Sequence, residues 1–278
     1  MSGKVMAELG TAALVAPVNA MGAFPSYNAT KGVLEGWEGV SGEAMAELIK
    51  KRGGNTTHMG CAQCIIHCSN EFVDEKGTYV TGALEYETIW SMGGMTGITD
   101  LDTIAQLDFL CDDIGVDTMS TGVCIAVAMD AGHRKFGDSK AVIEMVEEIA
   151  QGTEFGKILG NGPAAVGKHF NHPRVPAVKG QGVAAYDPRA MLGNGVTFAT
   201  TPMGADHTAG NLVGLYLTQE LDPLKPEGQV ETSRFLQIAN AAFDSTGLCF
   251  MASVALFTPE GSEAFRKVLN AKLGTEFG

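Results

Sequence analysis

Three cysteines, Cys61, Cys64 and Cys68, stand in the stretch CAQCIIHC at C-x2-C-x3-C spacing, in a chain of 278 residues that holds only six cysteines. This spacing lets three thiolates from one tight loop face a common centre, and zinc or an iron–sulfur cluster accepts them once a fourth ligand is supplied. The fold must therefore deliver that fourth group from elsewhere. Cys111 falls on the apolar stripe of a predicted helix and Cys124 lies inside the apolar run TGVCIAVAM, so both read as small core residues. Cys249 ends DSTGLC, a turn-like stretch after a helix, from which a thiolate can be presented. His67 is the rival ligand, and it reads as a structural or solvent-facing residue. Structural zinc sites usually pair two short cysteine knuckles, whereas three cysteines in one loop plus a distant fourth are common for cubane clusters. That contrast favours the cluster.

Such ligands must stay reduced. A chain of this length is not a small disulfide scaffold, and a C-x2-C cluster in an intracellular protein reads as thiolate ligands. Hydrophobic residues make up 45% and charged residues 18%, a globular composition, and 36 glycines imply backbone pressed close to something. The formal charge of −13 repels a phosphate backbone or an anionic membrane, so nucleic acid and membrane are not expected partners. No run of eighteen apolar residues and no signal peptide occurs, which makes the cytoplasm the expected compartment. No G-x-S-x-G, Walker loop or complete dinucleotide fingerprint is present, which removes several common enzyme classes.

Helical signals recur along the chain. Asp100 is placed to cap a helix with Ile104, Leu107, Leu110 and Cys111 on one face, ending at about Asp113. Asp138 caps a second with Val142, Val146, Ile149 and Ala150 as its buried stripe and Gly152 as its stop. A third runs through Phe235, Leu236, Ile238, Ala239, Ala242 and Phe243. A fourth opens with Thr258 as cap and Pro259 at the first position, carrying Phe265, Val268, Leu269 and Leu273. Ser41 opens a shorter one through Ala44, Met45, Leu48 and Ile49. Strand signals are sparse, TYVTGALEY being the one short extended piece. The predicted class is mainly α, as two multihelical domains over residues 1–178 and 179–278, the seam lying near NHPRVPAVKGQG where two prolines interrupt the pattern. Residues 15–40, 50–100 and 152–230 read as long glycine-bearing loops, which compact domains keep when the loops line a site.

Two stretches share the form D-x-x-G-(V/L)-(D/C): DDIGVD from Asp112 to Asp117, and DSTGLC from Asp244 to Cys249. Each follows a predicted helix. Turns of this kind can point side-chain and backbone polar groups at one ligand, and a matched pair suits a ligand with two similar halves. Taken alone the pattern more often describes two ordinary helix C-caps. ALEYETIW contributes Glu85 and Glu87, and TPMGADHTAG contributes Asp206 and His207, the usual materials of proton transfer or of satisfied structural polar positions. Asp187 and Arg189 flank a proline in AAYDPRAMLGNG and read as a local ion pair that rigidifies a loop.

In order, the motifs CAQCIIHC, EYET, DDIGVDTMSTGV, AYDPRAMLGNG, TPMGADH and DSTGLC resemble the tungsten-containing aldehyde:ferredoxin oxidoreductase family. The likeness covers nearly the whole chain, from APVNAMGAFPSYN to TPEG. It implies two helical domains, a tungsten (or molybdenum) bis-pyranopterin and a [4Fe–4S] cluster ligated by Cys61, Cys64, Cys68 and Cys249. It further implies that Asp112 and Asp244 open two turns gripping the pterins, with close backbone approach at Gly115 and Gly247 and with Asp117 and Leu248 in the same turns. Glu87 and His207 would lie beside the metal and handle protons and the substrate carbonyl. The activity implied is oxidation of a small aldehyde to a carboxylic acid, with electrons passed to ferredoxin. Trp90, Met95 or Phe198 would limit the substrate pocket. Family members are about twice as long and carry an amino-terminal β-rich domain without counterpart here, so the chain reads as an internal piece or a subunit completed by another chain, with a homo-oligomer or a complementary chain among its expected partners. The rival readings are a non-catalytic [4Fe–4S] electron-transfer or scaffold piece and a four-cysteine zinc domain.

Overall fold

Most of the longer helices begin where a short polar side chain catches an amide left orphaned by the first turn, although the longest, Gln229–Thr246, starts after Gly228 without one. In the computed structural model, which describes residues 3–55, 60–82 and 84–277, Ser41 Oγ accepts from the Ala44 amide (3.1 Å) to open α3 (Gly42–Lys51). Before it come α1 (Gly3–Leu9) and α2 (Val15–Ala20), joined by a 3-10 turn at Gly10–Leu14. A two-stranded antiparallel hairpin follows, β1 (Glu71–Val73) and β2 (Tyr79–Gly82), with Glu71 opposite Gly82. The predicted extended piece therefore ends at Gly82; position 83 lies outside the described residues, and Tyr86 already belongs to α4 (Tyr86–Thr88), which runs into a π-helical turn at Ile89–Gly94.

Asp100 Oδ2 accepts from the Thr103 amide (2.9 Å) and opens α5 (Leu101–Ile114); Asp138 Oδ1 accepts from Ala141 (3.0 Å) and opens α7 (Ser139–Gln151). Both follow the predicted positions. On α7 the buried stripe holds Met145 together with Val142 and Val146, while Ala150 is exposed. Between them lies α6 (Thr118–Asp130), which showed no periodic signal because it is apolar all round and buries every residue from Thr121 to Met129. It packs against the π-helical turn, where a side chain added at Gly122 would collide with the Ser91 backbone. The stretch 152–230 is not a loop. Short helices α8 (Glu154–Leu159), α9 (Pro163–Phe170), α10 (Leu192–Thr200) and α11 (Val213–Leu217) fill it, with a minimal antiparallel pair β3 (Ala177–Val178) and β4 (Gln181–Gly182). Five to nine residues bounded by glycine and proline are too short to register as a period.

One apolar core runs from Ala12 to Tyr216, with Trp90, Tyr86, Phe24 and Phe72 as its largest wholly buried side chains. The last helices, α12 (Gln229–Thr246), α13 (Phe250–Ser253) and α14 (Pro259–Leu273), add no buried hydrophobic residue to it, Leu236 of α12 packing at its edge. A polar seam docks α12 on α10: Thr197 Oγ1 and Ser233 Oγ are 2.7 Å apart, and Gln237 Nε2 donates to Thr200 Oγ1 (2.9 Å). Thr258 Oγ1 caps α14 as predicted, accepting from Gly261 (3.1 Å), and Pro259 takes the first position. The apolar stripes of α12 and α14 are open, however: Phe235 is 58% exposed, Ile238 62% and Val268 63%. Periodicity reported an amphipathic face correctly; of it Leu236 packs against the core and Phe243 against Phe257, while these three residues stay exposed.

Asp108 lies in this core, its Oδ2 accepting from Thr81 Oγ1 at 2.6 Å. Burial, reinforced by the charge of Asp112, pushes its carboxyl from the usual 3.8 up to about 6. A carboxyl raised in the folded state adds stability that is complete below pH 4 and is lost as pH rises through 6. Between pH 4 and pH 7 the protein is expected to lose on the order of 3 kcal/mol relative to Asp108→Asn, measured by urea unfolding at both pH values. Parallel curves for the two proteins would contradict this.

Candidate functional site

Helix α4 is only three residues long and is set by groups from distant parts of the chain. The Tyr86 amide donates to Thr11 Oγ1 (2.9 Å), and the Thr11 hydroxyl in turn donates to Glu85 Oε2. Thr11 thus caps α4 from outside, since Glu85, the residue before the helix, supplies no side-chain cap of its own. On the other side, the Ala185 peptide is used twice: Tyr86 OH donates to its carbonyl (2.7 Å), and its amide donates to Glu87 Oε2 (3.0 Å). Neither Thr11 nor Ala185 carried a sequence signal; each contributes a single polar atom across a long sequence gap.

This clamp brings Glu87 to His207. His207 Nε2 lies 3.4 Å from Glu87 Oε1, close enough for an ion pair. No hydrogen bond satisfies that buried oxygen. Burial raises the Glu87 carboxyl above its usual range; the charge of His207 and the Ala185 amide pull it back, and nearby Asp117 pushes it up. The His207 ring lies against Tyr186, with centroids 5.6 Å apart, and Asp206 Oδ1 accepts from the Thr208 amide (2.9 Å) to shape the turn that presents it. Asp187 and Arg189 form the expected ion pair, with Arg189 Nε 2.9 Å from Asp187 Oδ1, and Arg189 Nη2 also donates to the Ala29 carbonyl (2.7 Å). The π-helical turn beyond α4 is a local device common at functional sites.

Of the cysteines, Cys111 and Cys124 are wholly buried, and burial pushes both thiols up to about 12, as befits core residues. The others lie in partly open surroundings. The Cys64 sulfur accepts from the His67 amide (3.4 Å) and the Ile66 amide (3.3 Å), which lower its thiol. Cys68 is raised, first by burial and then by the negative charges of Glu85, Cys249 and Cys64. Cys249, 181 positions beyond Cys68 in the chain, is therefore within electrostatic reach of it. Its carbonyl accepts from Ala252 (3.0 Å) and Ser253 (2.9 Å), seating it at the start of α13. Among the described residues no three His, Cys, Asp or Glu side chains converge on one ion position.

The two aspartate turns are both helix C-caps closed by a left-handed glycine. The Gly115 amide donates to the Asp112 carbonyl (3.2 Å) and the Gly247 amide to the Asp244 carbonyl (3.1 Å), and both glycines have φ 73°. A Cβ at either glycine would meet nothing within 4 Å, so each backbone faces open space. Asp112 and Asp244 are exposed, and Leu248 is half-buried between Gly247 and Cys249. Asp117 doubles as the cap of α6, its Oδ2 accepting from the Ser120 amide at 2.6 Å. Trp90, Met95 and Phe198 are buried in the core, Trp90 donating its indole N–H to the Pro25 carbonyl (2.7 Å).

The family model for aldehyde ferredoxin oxidoreductase, domains 2 and 3, matches residues 1–278. The chain belongs to this family. Tungsten-containing aldehyde ferredoxin oxidoreductases of Pyrococcus furiosus and Thermococcus kodakarensis are each 31% identical over 297 aligned residues, covering 100% of this chain and 47% of the relative. A WOR-like subunit of an aliphatic sulfonate oxidoreductase of P. furiosus is 25% identical across 52% of this chain and 27% of that protein. The chain thus spans about half the length of the aldehyde ferredoxin oxidoreductases it matches. No single helix among the described residues is long and apolar enough to cross a membrane.

Proposed function

We propose that the chain forms the helical part of a cytoplasmic enzyme that oxidises small aldehydes to carboxylic acids, and that its electrons leave through a [4Fe–4S] cluster to a ferredoxin. The observation that carries this reading is the buried Glu87 oxygen, which accepts no hydrogen bond and lies 3.4 Å from His207 Nε2. Oxidation of an aldehyde with water releases two protons and two electrons per carboxylic acid. A carboxylate whose pKa is raised by burial, beside an imidazole, is suited to take up and pass on such protons. His207 donates to the substrate carbonyl oxygen when protonated, and the Ala185 amide holds Glu87 for proton transfer.

The residues present fit the groups the family implies. Cys61, Cys64, Cys68 and Cys249 would hold the cluster; the mutual charge repulsion felt by Cys68 is what bound iron would relieve. The open backbones at Gly115 and Gly247, beside the exposed Asp112 and Asp244 and with Asp117 and Leu248 adjoining, would hold the two halves of a bis-pyranopterin. When bound, that cofactor's tungsten or molybdenum supplies the two-electron acceptor and the Lewis acid. The part of the family's length not spanned here would come from further polypeptide, on this chain or a complementary one.

The test is metal analysis of anaerobically purified protein. Iron and sulfide in equal amounts near four per chain, with tungsten or molybdenum, are expected. Iron and sulfide without tungsten or molybdenum would support a non-catalytic electron-transfer piece instead, and one zinc without iron would overturn both.

A further inference from the structure

Asn70 is buried two residues beyond Cys68 and immediately before β1. Its carboxamide closes both backbone groups of Leu84: Nδ2 donates to the Leu84 carbonyl (3.1 Å), and Oδ1 accepts from the Leu84 amide (3.1 Å). In this way the side chain ties the chain together just past the Glu71–Gly82 end of the β1–β2 ladder. Leu84 is wholly buried and is followed directly by Glu85, Tyr86 and Glu87. From the other side Gly10 presses on the same junction: a Cβ there would stand 2.6 Å from the Cys68 carbonyl oxygen. Adjacent Thr11 caps α4.

We propose that Asn70 is a positioning residue whose carboxamide locks the Cys68 end of the cysteine loop to the segment that leads into α4. The proposal rests on the reading that Cys68 ligates a cluster. Electron relay and proton pair are then held on one strut, Cys68 to Asn70 on one side and Leu84 to Glu87 on the other. A lost Asn70 would free Cys68 without touching any thiol.

The test compares Asn70→Ala with the wild type in the full chain, first free of metal and then reconstituted anaerobically with iron and sulfide. In the metal-free protein, hydrogen exchange at the Leu84 amide and iodoacetamide modification of Cys68 should each rise about tenfold or more, because two buried hydrogen bonds are lost. Modification of Cys249 should stay within about twofold on the same grounds. In the reconstituted protein the EPR spectrum of the reduced cluster should shift in g-values. A control of like chemistry is Asn19→Ala, which removes the Asn19 Oδ1 acceptor of the Leu34 amide (2.8 Å) and should leave all three readouts unchanged. Asn70→Asp keeps an acceptor for the Leu84 amide and loses the donor, so it should protect Leu84 while still loosening Cys68; it carries the test if Asn70→Ala does not fold. Leu84 exchange and Cys68 reactivity equal to wild type would overturn the proposal, as would an EPR shift of the same size in Asn19→Ala. A wild-type chain that takes up no cluster would defeat the ligand assignment alone, and the exchange and alkylation readouts would still decide the role of Asn70.

Discussion

Cys249→Ser is expected to remove most of the iron and sulfide that the protein takes up, and with them the EPR signal of the reduced cluster. The reason is geometric as well as chemical. Cys249 is exposed at the start of α13 and near enough to Cys68 for their charges to interact, whereas Cys111 and Cys124 are sealed in the core with thiols pushed up to about 12. A serine hydroxyl is a far weaker donor to iron than a thiolate, so three cysteines of one loop are left to hold the cluster. Cys124→Ala should keep the signal intact and cost only about 1–2 kcal/mol of stability, the order expected for a small buried truncation. Iron content and EPR of the two variants, prepared side by side, decide the matter. Equal losses in both would sink the ligand set.

Glu87→Gln is expected to lower turnover by about 10²–10⁴-fold, the usual contribution of a positioned acid–base group, while leaving the cluster spectrum unchanged. Glutamine preserves the shape and an acceptor for the Ala185 amide, so the clamp on α4 survives and only the proton acceptor is lost. His207→Ala supplies a second reading of the same pair. The histidine charge pulls the raised Glu87 carboxyl back down, so removing it sends that carboxyl still higher. The protonated, inactive base then persists to higher pH, and the acidic limb of the kcat/KM profile should move upward. Steady-state rates across pH on fully loaded enzyme test both statements. Wild-type turnover in Glu87→Gln would remove Glu87 from the chemistry.

What could be read from the residues alone was local. Ser41, Asp100, Asp138 and Thr258 open their helices where capping chemistry places them, because a side-chain oxygen reaching an amide two or three residues on needs no tertiary context. The cysteines sorted correctly into core and presented, since an apolar neighbourhood in sequence is also one in space when a helix is buried all round, as around Cys124 in α6. That same all-round burial hid α6 from any periodic test. Only the tertiary structure decided the rest. The cap on α4 comes from Thr11, the clamp on Glu87 from Ala185, its partner from His207, and the brace on Leu84 from Asn70. Each is one polar atom meeting another across a wide gap in the chain. Such meetings are set by how the core packs, because a single donor or acceptor carries no pattern in sequence and acquires its meaning from the burial around it.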